Sequence, residues 1–234
     1  MAHFRQFRDP ATETFSYVLG CGHSGQTVII DPVVGQVLLY LGVLKELDLC
    51  LTWVLETHLH ADHISAADTL REWTGARVAV ARNSGIGAAD RLLDDGDTLA
   101  IGELEIEVLA TPGHTPGCLT YRWQDRLFTG DSLLIGSCGR IDEPGSSGIM
   151  LFDSVTRRLL SLPAETLVYP GHGQAGRWVS CIGEERDNNP FFHGISRDSF
   201  VPLRSAIRER YSPTTESILR ANSCCGRPIP AETL

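Results

Sequence analysis

The sequence lacks any apolar run near the roughly 20 residues that span a bilayer, so no membrane segment is expected. The opening stretch "MAHFRQFRDPATETFSYV" has no apolar h-region and no small-residue cleavage pattern, and a cytoplasmic location is the expectation. Short CxxC pairs are absent. The seven cysteines (Cys21, Cys50, Cys118, Cys138, Cys181, Cys224, Cys225) are odd in number and scattered, which excludes a disulfide framework or a zinc knuckle as the organising element. Positive charge is short as well. The formal net charge of -9 argues against general binding to nucleic acid or an anionic membrane, and an anionic substrate would need a local arginine group. Internal repeats and low-complexity text are missing. "SGIG" at 84–87 lacks the lysine and the strand-to-helix setting of a phosphate loop.

What is present is enough for one sizeable core, with 234 residues of which 42% are hydrophobic. "TFSYVLG" and "TVIIDPV" read as a hairpin around "CGHSG". "QVLLYLGVLKELDL" has helical periodicity, "LTWVLET" reads as a buried strand, "SAADTLREWTG" as a helix closed by Gly75, and "ARVAVA" as a strand. Period-two alternation through "DGDTLAIGELEIEVLAT" predicts antiparallel strands. "CLTYRW-QD-RLFTGD" predicts a second hairpin, "GIMLFDSVTRRLLSLP" an amphipathic helix ended by Pro163, and "TLVYPGHG" a strand. Trp53 and Trp73 are assigned to the core. Beyond about Gly183 the text is irregular, apart from a short helix in "RDSFVPLRSAIRERY" and a loosely ordered tail, "ANSCCGRPIPAETL". Residues 1–183 are therefore expected to form the catalytic domain, and 184–234 an extension packed on it or trailing from it.

Chemistry concentrates at strand ends. His58, His60, Asp62 and His63 lie in "THLHADH"; His114, Asp131 and His172 each follow another strand-like run beside a glycine that permits a sharp turn. A lone histidine is usually a surface or capping residue. Five of the eight histidines in this setting, with two aspartates among them, are a metal-ligand set suited to zinc, iron or manganese.

"THLHADH", "TPGHTPG", "FTGD" and "YPGHG" at these spacings resemble the metallo-β-lactamase superfamily. The resemblance implies an α+β fold, a four-layer αβ/βα sandwich with the metal in the cleft between sheets. It assigns His58, His60 and His114 to one metal site and Asp62, His63 and His172 to a second, with Asp131 bridging.

Two chemistries use such a set. A binuclear zinc hydrolase similar to glyoxalase II would activate a bridging hydroxide against a glutathione thioester, and all seven ligand residues are there to allow it. A non-haem oxygenase needs two histidines and one carboxylate, leaving three iron positions open. His58, His114 and Asp131 supply that triad, and the rest then act around it. A metal-binding scaffold without catalysis is disfavoured, because no ligand has been lost.

Text outside the ligands resembles the persulfide dioxygenases: "FRQFRDPATETFSYVLG", "VIIDPV", "GDSLLIGSCGRID" and "VSCIGEERDNNP". That resemblance implies oxidation of glutathione persulfide by O₂ to sulfite and thiol at one Fe(II) per chain, the alternative cofactor being two zinc ions. It implies iron ligation by His58, His114 and Asp131, glutathione contact by Arg140 with Cys138 beside it, and a homodimer. Arg186 is a further substrate-side candidate, weighed against a salt-bridged helix turn. Cys138 is weighed against a buried inert thiol, and Tyr17 and Tyr169 are read as core. The chain departs from the family where "IGSCGRIDEP" replaces "RGCGRTDF"-like text and where Phe191, not arginine, follows "NNP". Two cationic candidates are lost, so the implied carrier widens to a related thiol persulfide.

Overall fold

Alternation and β-branched content decide where the strands fall, and crossover length decides which of them run parallel. The computed structural model describes residues 2–207 and 214–227. The chain divides into two compact units. One takes in the residues up to Leu93, then Leu99–Glu105 and the segment 214–227; the other takes in Asp94–Thr98 and 106–207.

The first unit is built on a six-stranded sheet in sequential order: β1 (Ala2–Arg8), β2 (Phe15–Cys21), β3 (Gln26–Ile30), β4 (Cys50–Leu55), β5 (Arg77–Ala81) and β6 (Arg91–Leu93). The first three form an antiparallel meander, and β3 to β6 pair in parallel. Parallel neighbours need a long crossover. Helix α1 (Val37–Glu46) supplies it between β3 and β4, and α2 (Ala67–Thr74) between β4 and β5. Val37, Tyr40 and Leu44 recur at helical spacing and enter a core with Val18, Ile29, Val54, Leu70 and Val78. α2 stops at Gly75, whose left-handed backbone (φ 74°) lets its N–H bond the Arg71 carbonyl. Trp53 is buried, with the Arg77 guanidinium 4.0 Å from its ring centroid. Trp73 is not core: it is 59% exposed, because an eight-residue helix presents one buried stripe and Ala67 and Leu70 fill it.

The second sheet has the order β12-β11-β10-β9-β8-β7, made of β7 (Thr98–Ile101), β8 (Leu104–Ala110), β9 (Leu119–Trp123), β10 (Arg126–Gly130), β11 (Leu167–Pro170) and β12 (Ser180–Cys181). β8, β9 and β10 pair antiparallel, as the hairpin reading expects. β11 joins β10 in parallel after a crossover made by α3 (Gly148–Ser154) and the π-helical turn Val155–Leu159. Leu127, Leu151, Val155, Leu159, Val168 and Phe200 form the apolar core of this unit.

The text beyond Gly183 is more regular than its composition suggests. α4 (Ile182–Asn188) and α5 (Arg197–Ser205) belong to the second unit, and α6 (Thr215–Asn222) to the first. The expected helix "RDSFVPLRSAIRERY" is seen over Arg197–Ser205, and its last residues, 208–211, lie outside the described residues. The tail departs from expectation as far as it is described: Ala221, Asn222 and Cys225 are buried, while 228–234 lie outside the described residues. No described helix is long and apolar enough to cross a membrane. All seven cysteines are free thiols.

Candidate metal centre

In the first unit the histidine loop leaves the end of β4 and is buried at Glu56, Thr57, His58, His60 and His63. The neighbouring strand supplies its anchor. Asp31 follows β3 in a left-handed conformation (φ 50°) that an aspartate tolerates through local hydrogen bonds. Its carboxylate accepts from the Thr57 N–H at 2.7 Å and from the Thr57 hydroxyl at 2.8 Å, and lies 3.1 Å from His60 Nε2.

These contacts settle protons. Thr57 has one hydroxyl hydrogen, and Asp31 takes it. The 2.9 Å contact between Thr57 Oγ1 and His58 Nδ1 is therefore donated by the imidazole, which leaves the lone pair of His58 on Nε2. His63 is set the same way: Nδ1 lies 3.1 Å from the Asp62 carboxylate, which only accepts, and Nε2 is buried with no hydrogen-bond partner among the described residues. Thr14 donates to Asp62 at 2.9 Å and holds that carboxylate in place.

His60 is tied differently. Its Nε2 lies 3.1 Å from Asp31 and 3.2 Å from Glu56, and its Nδ1 lies 3.9 Å from Asp62. Burial alone would lower its pKa, yet Asp31 and Glu56 outweigh burial and hold it well above the usual histidine range. Burial raises the Glu56 carboxyl in turn. Two groups of three ligand atoms within 4.8 Å result inside this unit: His60 with Asp62 and His63, and Asp31 with Glu56 and His60.

In the second unit, His114 follows β8, Asp131 follows β10 and His172 follows β11. His114 Nε2 lies 3.7 Å from Asp131 Oδ2, and His172 Nε2 lies 3.7 Å from Asp131 Oδ1. His114 Nδ1 lies 2.9 Å from the Arg140 carbonyl, an acceptor, so it carries a proton and Nε2 is the atom turned toward Asp131. Asp131 Oδ1 is buried and has no hydrogen-bond partner among the described residues. A buried carboxylate oxygen and a buried imidazole nitrogen left without partners are costly unless something electropositive meets them. The donor set, imidazole nitrogens aimed as lone pairs plus a carboxylate, fits a first-row divalent metal.

Among the substrate-side candidates, Arg140 is partly buried, donates to Glu143 and lies 3.8 Å from Asp142. Arg186 is half exposed in α4 and pairs with Asp187 at 3.4 Å, not with Glu184 or Glu185 beside it. Cys138 is 1% exposed and belongs to the apolar cluster of the second unit. Tyr17 and Tyr169 are buried. Sequence reasoning missed the anchoring roles of Asp31 and Glu56. Asp31 sits in the quoted "VIIDPV" but in no metal-ligand spacing. It also missed Asn222, whose side chain bonds the His60 and His63 carbonyls.

The model of the metallo-β-lactamase superfamily matches residues 10–172. The mitochondrial persulfide dioxygenase ETHE1 of Homo sapiens is 37% identical over 229 residues, spanning 97% of this chain and 89% of that protein. The crystal structure of ETHE1 from Myxococcus xanthus superposes with a TM-score of 0.93 at 43% identity, covering 96% of this chain and 99% of that one. This chain belongs to the persulfide dioxygenase family of the metallo-β-lactamase superfamily. Membership accounts for the α+β fold with two mixed sheets. It makes the chain an enzyme, and the histidine–aspartate set its metal-binding cluster. A hydroxyacylglutathione hydrolase of Cereibacter sphaeroides is also 37% identical, over 215 residues that span 89% of this chain and 79% of that protein. Two differently named enzymes are thus similar to this chain, and fold alone does not separate their chemistries.

Proposed function

We propose that this enzyme oxidises glutathione persulfide, or a related thiol persulfide, with O₂ at a single Fe(II) held by His58, His114 and Asp131. Persulfide oxidation is carried by the near-full-length relationship to persulfide dioxygenases in sequence and in structure. One persulfide anion, one O₂ and one water give one thiol, one sulfite and one proton. Iron bound here supplies the redox chemistry with O₂ that no side chain provides.

The protein's part is orientation. Thr57 and the Arg140 carbonyl fix the imidazoles of His58 and His114 through Nδ1, so Nε2 is the ligand atom of each and neither ring needs to turn over on binding metal. Asp131 contributes the carboxylate, and His172, 3.7 Å from its Oδ1, restrains it. His60, Asp62 and His63 act around the triad, His60 being locked by Asp31 and Glu56. Arg140 is assigned the carboxylate of the carrier thiol, a planar donor for a planar acceptor, after exchanging Glu143 for substrate. Arg186 stands as a weaker candidate at the same task.

The second reading, a binuclear zinc thioester hydrolase, keeps one specific observation in its favour: all seven ligand-type residues are intact. His60→Ala separates the two. In the dioxygenase it removes a supporting group, so O₂ uptake should fall about 10- to 100-fold, with the metal content still one per chain. In the hydrolase it removes a ligand, and metal stoichiometry should drop together with thioester turnover. Metal analysis and oxygen-electrode rates on one preparation read both.

A further inference from the structure

Two of the backbone carbonyls in the histidine loop are met by a side chain some 160 residues away. Asn222, the last residue of α6, is 2% exposed, and its Nδ2 donates to the His60 carbonyl at 2.8 Å and the His63 carbonyl at 2.7 Å. Its Oδ1 accepts from the Ser65 N–H at 2.9 Å. Both amide hydrogens and the carbonyl oxygen are thus used, and the orientation is forced: a flipped carboxamide would set oxygen against two carbonyls. The bonded groups bracket Ala61 and Asp62, so one side chain fixes the turn that sets the spacing of the loop's ligand-type residues. Asn222 also lines a small cavity with Glu56, His58, His60 and Cys225.

The segment that carries Asn222 is itself pinned. The Gly87 N–H donates to the Ser223 carbonyl at 2.8 Å, and the Asp68 N–H to the Cys225 carbonyl at 2.9 Å. Arg227 grips the Asp68 carboxylate through two bonds of 2.8 and 3.0 Å. Gly226 takes a left-handed φ of 87°, and a Cβ there would lie 1.9 Å from the Ser65 carbonyl oxygen, so the backbones approach as closely as only glycine allows. A side chain delivered from so well-anchored a segment holds its partners with little slack.

We propose that Asn222 is a positioning residue of the metal loop, acting through the backbone of His60 and His63 to keep the loop in its ligand-ready shape before metal arrives. This rests on reading the loop as metal-binding, but its first test needs no metal. In the metal-free full chain, Asn222→Ala should speed hydrogen–deuterium exchange in the peptide 57–66 by about tenfold or more, while β4 and β5 stay within about twofold of the unmodified protein. On loading, its iron dissociation constant should rise about 10- to 100-fold, and kcat should fall with KM for the persulfide changed less than about twofold.

Asn222→Asp is the sharper variant, and it keeps the experiment readable if the alanine protein does not fold. It preserves volume and the acceptor for Ser65 but loses both donors, and so should match the alanine variant in iron affinity while retaining protection at Ser65. Unchanged loop exchange and iron affinity in Asn222→Asp would overturn the proposal. So would a loosening spread evenly over the unit, which marks a residue that serves stability alone. Absence of O₂ uptake in the unmodified protein would sink the dioxygenase reading and leave the exchange and affinity results on Asn222 standing.

Discussion

Replacing Asp131 with alanine is expected to lower persulfide-dependent O₂ uptake by more than about 10³-fold and to leave the purified protein with little bound iron. Loss of a supporting group around a metal costs about 10- to 100-fold, and loss of a ligand must exceed that. Asp131 is the carboxylate between two imidazoles, 3.7 Å from His114 Nε2 on one oxygen and 3.7 Å from His172 Nε2 on the other. The same substitution should act with the opposite sign on the metal-free fold. Asp131 Oδ1 is buried with no hydrogen-bond partner among the described residues, and an unsatisfied buried oxygen costs about 1–3 kcal/mol. Removing it should leave the metal-free protein as stable as before, or about 1 kcal/mol more stable in urea unfolding. An Asp131→Ala protein that turned over at a tenth of the original rate, or lost several kcal/mol without metal, would show that the carboxylate serves the fold and not the metal.

Gly139→Ala is expected to do the next largest damage without removing any charged group. A Cβ at Gly139 would lie 2.4 Å from the Asp131 carbonyl oxygen and 2.8 Å from His114 Cγ. Neither neighbour is the loose end of a flexible chain. The Asp131 carbonyl accepts from the Gly139 N–H at 2.7 Å, and the His114 ring is held at Nδ1 by the next carbonyl, that of Arg140. One methyl group therefore pushes on two proposed ligands at once. Overpacking of this kind costs about 1–3 kcal/mol, and a ligand displaced by an ångström costs about 100-fold in rate. The expected outcome is a folded protein, a few degrees less stable, with O₂ uptake down about 100-fold and iron affinity reduced in step. Full activity would mean that the "SCGRID" turn has room to shift away from the metal.

Why the strands were legible while the loop's supports were not follows from the range of the forces involved. β2, β3, β8, β9 and β10 announce themselves by alternation and turn residues within a few positions, and α1 by the spacing of Val37, Tyr40 and Leu44. β1 carries its apolar residues, Phe4 and Phe7, between arginines and owes its place to full-length pairing with β2, from Ala2 opposite Cys21 to Arg8 opposite Phe15. No local pattern reports that partner. Trp73 shows the converse error, an aromatic assigned to the core by type when its place in a short helix leaves it in solvent. At the site, glycine-flanked histidines at strand ends are a dense local signal. Asp31 and Asn222 act from other elements through two side-chain atoms each, and a single aspartate or asparagine in sequence carries no mark of such a task. Cys138 stands out in sequence because it is close to Arg140, and the burial of its side chain among apolar neighbours is not written there.

The most direct measurement pairs metal content with oxygen stoichiometry on one anaerobically purified, iron-reconstituted sample. The expected result is one iron per chain and one O₂ consumed for each glutathione persulfide converted to sulfite and thiol. Two zinc ions per chain, no oxygen uptake and rapid hydrolysis of a glutathione thioester would contradict it.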